Sequence, residues 1–194
     1  MAEAAGLLLT GGTGRRMGRD KAEVVFGGER LADRGARVLS AVTHPALEVG
    51  PGRSSLPAIR EEPPGNGPLA AVAAGGRALR GLGFQGPALV LAVDMPLVTE
   101  TLLEFLRDFP AMGSVVPFVG GRAQPLCSRY SPDALRTAER MAAAGERSMR
   151  GLLSSLTDVQ WAGPRMWGAV ADERAFSDLD TPEDLIAAEG LVEE

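Results

Sequence analysis

The feature that most constrains this chain is a pair of short, unbroken apolar runs, each ending abruptly in residues built for chemistry. Residues 88–93 read Ala-Leu-Val-Leu-Ala-Val and stop at Asp94. Residues 4–9 read Ala-Ala-Gly-Leu-Leu-Leu and stop at a glycine-rich, cation-rich turn. A run of five or six apolar residues is too short for a buried helix. Without alternation it cannot be a strand with one wet face. It suits a central strand of a parallel sheet, covered on both sides.

Helix-period stretches separate the apolar runs. Residues 31–42 predict a helix with Leu31, Leu39 and Val42 on its inner face, and Ala46 to Val49 predicts a short second strand. Residues 57–60 are a candidate third strand, and the Ala-rich residues 69–82 predict another helix. Thr99 reads as the N-cap of a helix over 102–109, residues 114–118 as a strand, and Ser131 as the cap of a helix over 132–144. Thr181-Pro182-Glu183-Asp184 opens the last helix, with proline in the first turn where its missing N–H costs nothing. Strands alternating with helices predict an α/β protein, a three-layer α/β/α Rossmann-like fold with a mostly parallel sheet. No repeat, linker or low-complexity tract interrupts the 194 residues, so a single domain over 1–194 is expected.

Composition narrows the function classes. The net charge is -5, which disfavours non-specific nucleic-acid binding. One cysteine, Cys127, allows no internal disulfide, and one histidine, His44, nearly excludes histidine metal clusters and Ser-His-Asp triads. His44 precedes Pro45 and reads as a loop residue, and Cys127 as a core residue. The start Met-Ala-Glu-Ala-Ala lacks the basic segment and long apolar stretch of a signal sequence and no window has the length of a membrane span, so a cytoplasmic protein with no membrane contact is expected.

The turn after the first strand runs Leu9-Thr10-Gly11-Gly12-Thr13-Gly14-Arg15-Arg16-Met17-Gly18-Arg19-Asp20-Lys21. Glycines let backbone N–H groups approach a phosphate closely. Arg15, Arg16, Arg19 and Lys21 repel one another unless an anion sits among them, and a polyphosphate is the natural one. Two familiar phosphate motifs fail here. Gly18 is followed by Arg19, which breaks a Walker A loop. The third glycine of a dinucleotide fingerprint would fall on Met17, and Gly50, not an acid, follows the second strand. Asp94, at the carboxyl end of a buried strand, is well placed to hold Mg²⁺ beside phosphate oxygens; alone, it would read equally as a turn-forming aspartate.

The same turn resembles the signature L-A-G-G-x-S-x-R-M-G-x-D-K of the molybdenum-cofactor nucleotidyltransferases, the MobA-like NTP transferase family. It matches at Leu9, Gly11, Gly12, Arg16, Met17, Gly18, Asp20 and Lys21 and departs at Thr10 and Gly14. Further segments resemble the family in order. Asp94-Met95-Pro96 stands for its D-x-P, Gly67-Pro68-Leu69-Ala70 for G-P-L-A-G, Gly145 to Arg150 for G-E-R-S-[LM]-R, and Asp178 to Leu185 for its closing motif. Gly50 stands where the guanylyl branch often has Asn, Pro64 where it has Asp (with Glu61 and Glu62 upstream), and Gln124 where it often has His before Pro125.

The resemblance implies transfer of GMP from GTP to molybdopterin, with Mg²⁺ as cofactor. CTP, or another phosphorylated acceptor such as 2-phospholactate, stays open beside it. Arg16, Lys21 and Asp94 would be catalytic, and Leu9, Thr10, Gly11, Gly12, Lys21, Gly67, Pro68, Leu69 and Asp94 would bind the nucleotide. Asp94 and Asp180 are the candidate metal ligands, Asp180 reading equally as part of the last helix's cap. Arg147 and Arg150 either meet the acceptor's phosphate or form a charged helix surface. The implied partners are the two small-molecule substrates and proteins that deliver molybdopterin, with the chain itself a monomer or weak oligomer. A nucleotide-binding regulator without catalysis is the rival class; an NAD-dependent oxidoreductase is disfavoured by Gly50.

Overall fold

The computed structural model describes residues 3–11, 20–61 and 65–190. Their strands are β1 (Ala5–Leu9), β2 (Val25–Phe26), β3 (Glu29–Arg30), β4 (Ala46–Val49), β5 (Ala58–Ile59), β6 (Ala88–Ala92), β7 (Ser114–Val119), β8 (Arg122–Ala123), β9 (Cys127–Tyr130) and β10 (Val159–Ala162). The helices are α1 (Leu31–Val42), α2 (Pro68–Gly81), α3 (Glu100–Asp108), α4 (Pro132–Ala143), α5 (Met149–Ser155), α6 (Pro164–Trp167) and α7 (Pro182–Glu189). No helix among the described residues is long and apolar enough to cross a membrane.

The main sheet has the order β10-β7-β9-β6-β1-β4-β5, with β8 folded back on β7. β1 pairs in parallel with both β4 and β6, as the two apolar runs require. Leu7 and Leu9 face one layer with Val90, against α2, α4 and α5; Leu8, Leu89 and Leu91 face the other, against α1 and α3. Each of these leucines is almost fully buried, worth roughly 1.5–3 kcal/mol apiece. The fold is therefore the expected three-layer α/β/α arrangement with a mostly parallel sheet.

Local signals placed the helix starts. The Thr99 hydroxyl accepts from Leu102 N at 3.3 Å and that of Ser131 from Ala134 N at 3.2 Å, and Thr181 and Asp184 form a reciprocal capping box. α3 begins two residues before the expected start, because Thr99 caps it at once; α2 begins on Pro68, a residue earlier than expected.

Along the main path of the sheet, β9 departs from parallel pairing, antiparallel to both β6 and β7; the short hairpin pairs β7–β8 and β2–β3 are antiparallel too. Its sequence, Cys-Ser-Arg-Tyr, is half polar yet wholly buried. Arg129 explains this. Its guanidinium donates to Arg107 O at 2.8 Å, Phe109 O at 2.9 Å, Ala111 O and Gly113 O at 3.3 Å, closing the carbonyls between α3 and β7. An Arg129→Met variant leaves those acceptors without their charged donor. It is expected to lose about 2–3 kcal/mol, read as a lower urea midpoint at unchanged slope.

Candidate functional site

The chain leaves β1 toward β4 and β5 by way of α1. It returns through α2 to β6, on β1's other side. The connections that leave β1 and β6 therefore lead to opposite sides of the sheet, which makes the carboxyl ends of these strands a topological switch point, the position where open α/β sheets bind ligands in a crevice. The two strands stay zipped to their ends, with Val93 N donating to Leu9 O at 3.0 Å.

Three side chains meet at this edge. Lys21 begins a short 3-10 turn, Lys21–Glu23, capped by Asp20, whose carboxylate accepts from Ala22 N at 3.1 Å. Asp94 follows β6, and its carbonyl accepts from Leu179 N at 2.8 Å, drawing the approach to α7 against the strand end. Asp180 lies just beyond, its own N–H held at 3.0 Å by the Asp184 carboxylate that also caps α7. The cap is thus made by Thr181 and Asp184, which leaves the Asp180 side chain aimed back at the crevice. Lys21 Nζ donates to Asp94 Oδ2 at 2.7 Å and to Asp180 Oδ1 at 2.5 Å. The Lys21 side chain is only 17% exposed, Asp94 22% and Asp180 45%.

Burial alone would push the Lys21 pKa down, but the hydrogen bonds and charges of Asp180 and Asp94 outweigh it and raise it. The ammonium stays charged throughout the neutral range. Its contribution to stability is complete below the ordinary lysine pKa and fades only as pH rises through the raised value. These three side chains carry one positive and two negative charges, and the two carboxylates offer oxygen donors. That donor set fits Mg²⁺, which takes one or two carboxylates and completes its shell with phosphate and water oxygens. Among the described residues no cluster of three or more His, Cys, Asp or Glu could form a closed metal cage.

A family model for the MobA-like NTP transferase domain matches residues 6–159. The chain belongs to this family. The molybdenum cofactor guanylyltransferase of Cereibacter sphaeroides is 37% identical to it over 96% of both chains. The crystal structure of molybdopterin-guanine dinucleotide biosynthesis protein A from Archaeoglobus fulgidus has a TM-score of 0.79 at 26% identity, covering 97% of this chain and 98% of its own. The 2-C-methyl-D-erythritol 4-phosphate cytidylyltransferase of Thermus thermophilus shares the fold, with a TM-score of 0.67 at 18% identity over the whole of both chains.

In this MobA-like nucleotidyltransferase, Gly12 and Arg16 lie outside the described residues. Leu9 is buried, with its carbonyl engaged by Val93, and Thr10 N donates to Val49 O at 3.2 Å. Gly67 adopts φ 90°, a conformation that favours glycine, and turns the chain into Pro68 at the head of α2. Leu69 is wholly buried in the core, so only its backbone can reach a nucleotide. A side chain at Gly67 would stand 3.6 Å from Arg147 O, which brings the Gly-Pro-Leu segment and the Gly145–Arg150 stretch together. The Arg147 and Arg150 side chains are exposed there.

Sequence reasoning missed Glu48. It sits in β4 with no exposed surface, and its carboxylate takes the Thr10 hydroxyl at 2.5 Å. The signal was present: one carboxylate inside the otherwise apolar run Ala46 to Val49. His44 lies in the loop between α1 and β4, as expected. Cys127 is fully buried and its thiol is pushed up to about 12 by desolvation, so it is a core residue.

Proposed function

We propose that this protein is a Mg²⁺-dependent guanylyltransferase that joins GMP from GTP to the terminal phosphate of molybdopterin. An acceptor phosphate oxygen bonds to the α-phosphorus, the bond from that phosphorus to the α–β bridging oxygen breaks, and pyrophosphate leaves with the electron pair. No covalent enzyme intermediate is needed, which suits a chain whose cysteine is buried and whose histidine is in a remote loop.

The observation that carries the reading is the convergence of Lys21, Asp94 and Asp180 at the β1/β6 crevice. Lys21, together with Arg16, neutralises the phosphates. Asp94, with Asp180 beside it, would hold the metal, which would supply Lewis-acid stabilisation of the negative charge on the α-phosphate. Backbone groups from Leu9 to Gly12 and the Gly67-Pro68-Leu69 turn hold the nucleotide. Arg147 and Arg150, beside that turn, meet the acceptor. The guanylyltransferase names of the relatives favour GTP over CTP and molybdopterin over other acceptors.

The test is a pyrophosphate-release assay on the purified chain with molybdopterin and GTP, CTP or ATP. Turnover with GTP at least about tenfold above CTP is expected, and EDTA should abolish it. Release with CTP alone, or undiminished turnover in EDTA, would overturn the reading.

A further inference from the structure

We propose that Glu48 is a positioning residue for the nucleotide site, setting Thr10 directly and Lys21 through Arg53 and Asp20. The proposal rests on the nucleotidyltransferase reading above.

A fully buried carboxylate in a central strand is costly, and an apolar residue in its place would fill the same layer without that cost. Here the charge has an evident use. Gly52 N, Arg53 N and Ser54 N all donate to it at 2.7–2.9 Å, and the Ser54 hydroxyl adds a fourth contact at 2.7 Å. Three successive N–H groups wrapped on one anion make a nest, and so the loop leaving β4 is folded around Glu48. Desolvation raises the Glu48 pKa, but these donors and Thr10 outweigh it, and the net shift is downward.

Two consequences reach the site. First, the Thr10 hydroxyl is fixed on Glu48 immediately after the end of β1. Gly50 makes this possible: a side chain there would come within 2.0 Å of Thr10 Oγ1 and 3.1 Å of Gly11 N. Second, the folded loop presents Arg53, whose Nε donates to Asp20 Oδ2 at 2.9 Å and lies 3.8 Å from Glu23. Asp20 in turn caps the 3-10 turn that carries Lys21. The two residues flanking positions 11–19 are therefore both referred to one buried charge. Thr10 is attached to it directly, and Asp20 through Arg53.

The test is a double-mutant cycle with Glu48→Gln and Arg53→Ala, read by kcat, by KM for GTP and by hydrogen exchange without substrate. The Arg53 side chain is 42% exposed and pairs with the surface carboxylates of Asp20 and Glu23, so its variant is expected to keep the fold even where Glu48→Gln weakens it. Each single change is expected to raise KM for GTP about five- to tenfold, and the double variant no further than the worse single, because the path that Arg53→Ala cuts is one that Glu48→Gln already cuts. Arg53→Lys, which retains the cation, should recover part of the loss. Faster exchange at the Glu23 and Val24 amides, which close the Lys21 turn, is expected in both singles.

Wild-type exchange at those amides in Arg53→Ala, or strictly additive effects on KM, would overturn the wiring. If the wild-type chain releases no pyrophosphate from GTP, the functional reading fails instead. The exchange data still decide whether Glu48 and Arg53 set the Lys21 turn.

Discussion

An Asp94→Asn variant is expected to keep its fold and lose at least about 10³-fold in kcat with GTP and Mg²⁺. Asparagine has the shape of aspartate, and the contact that ties this loop to α7 runs through the Asp94 carbonyl to Leu179 N, which the change leaves in place. What disappears is the charge. Nucleotidyl transfer asks a protein mainly for positioning and for stabilisation of charge on the phosphorus centre, and removing one such group typically costs 10²–10³-fold or more. A 10³-fold loss corresponds to about 4 kcal/mol of transition-state stabilisation. The more exposed Asp180 should matter less, so Asp180→Asn is expected to fall about 10–100-fold. Steady-state kinetics beside thermal unfolding separate the outcomes. An unchanged melting temperature with collapsed kcat is the expected pair. Wild-type turnover in Asp94→Asn would remove this carboxylate from the chemistry.

Much of the scaffold around this site was legible because it is written locally. The runs at 4–9 and 88–93 have nowhere to go but the middle of a sheet, and both became neighbouring parallel strands. Thr99, Ser131 and Thr181 announce helix starts through hydrogen bonds made within three residues. The resemblance supplied Lys21, Asp94 and Asp180 as separate positions; their meeting on one nitrogen spans 73 and 159 residues of chain, and no local pattern encodes it.

The features that escaped are polar groups whose partners are distant. β9 lacks an apolar run because Arg129 serves the carbonyls between α3 and β7, some 16–22 residues upstream. Glu48 looks like an interruption of β4 until the loop at 52–54 closes over it. In both cases a buried charge organises backbone that is irregular, and periodicity has nothing to say about irregular backbone. The same logic makes a charged residue inside a short apolar run a signal worth following to the loop beyond it.

Lys21→Met should produce two effects of opposite sign. Turnover of GTP is expected to fall about 10²–10³-fold, since the cation proposed to neutralise the phosphates is replaced by an apolar chain of similar length. Binding of Mg²⁺ or Mn²⁺ without nucleotide is expected to tighten about tenfold, because Nζ and a divalent ion compete for the same two carboxylates and methionine removes the competitor. Stability should move by no more than about 1 kcal/mol, as partly exposed ion pairs contribute little net. Calorimetric titration with the metal alone, beside the kinetics, reads both effects. Reduced turnover with unaltered metal affinity would mean that Lys21 does not occupy the carboxylates in solution. Tightened metal binding with full turnover would mean that it occupies them but never serves the phosphates. Only the combination of the two changes places Lys21 at the exchange between resting ion pairs and a bound metal–nucleotide complex.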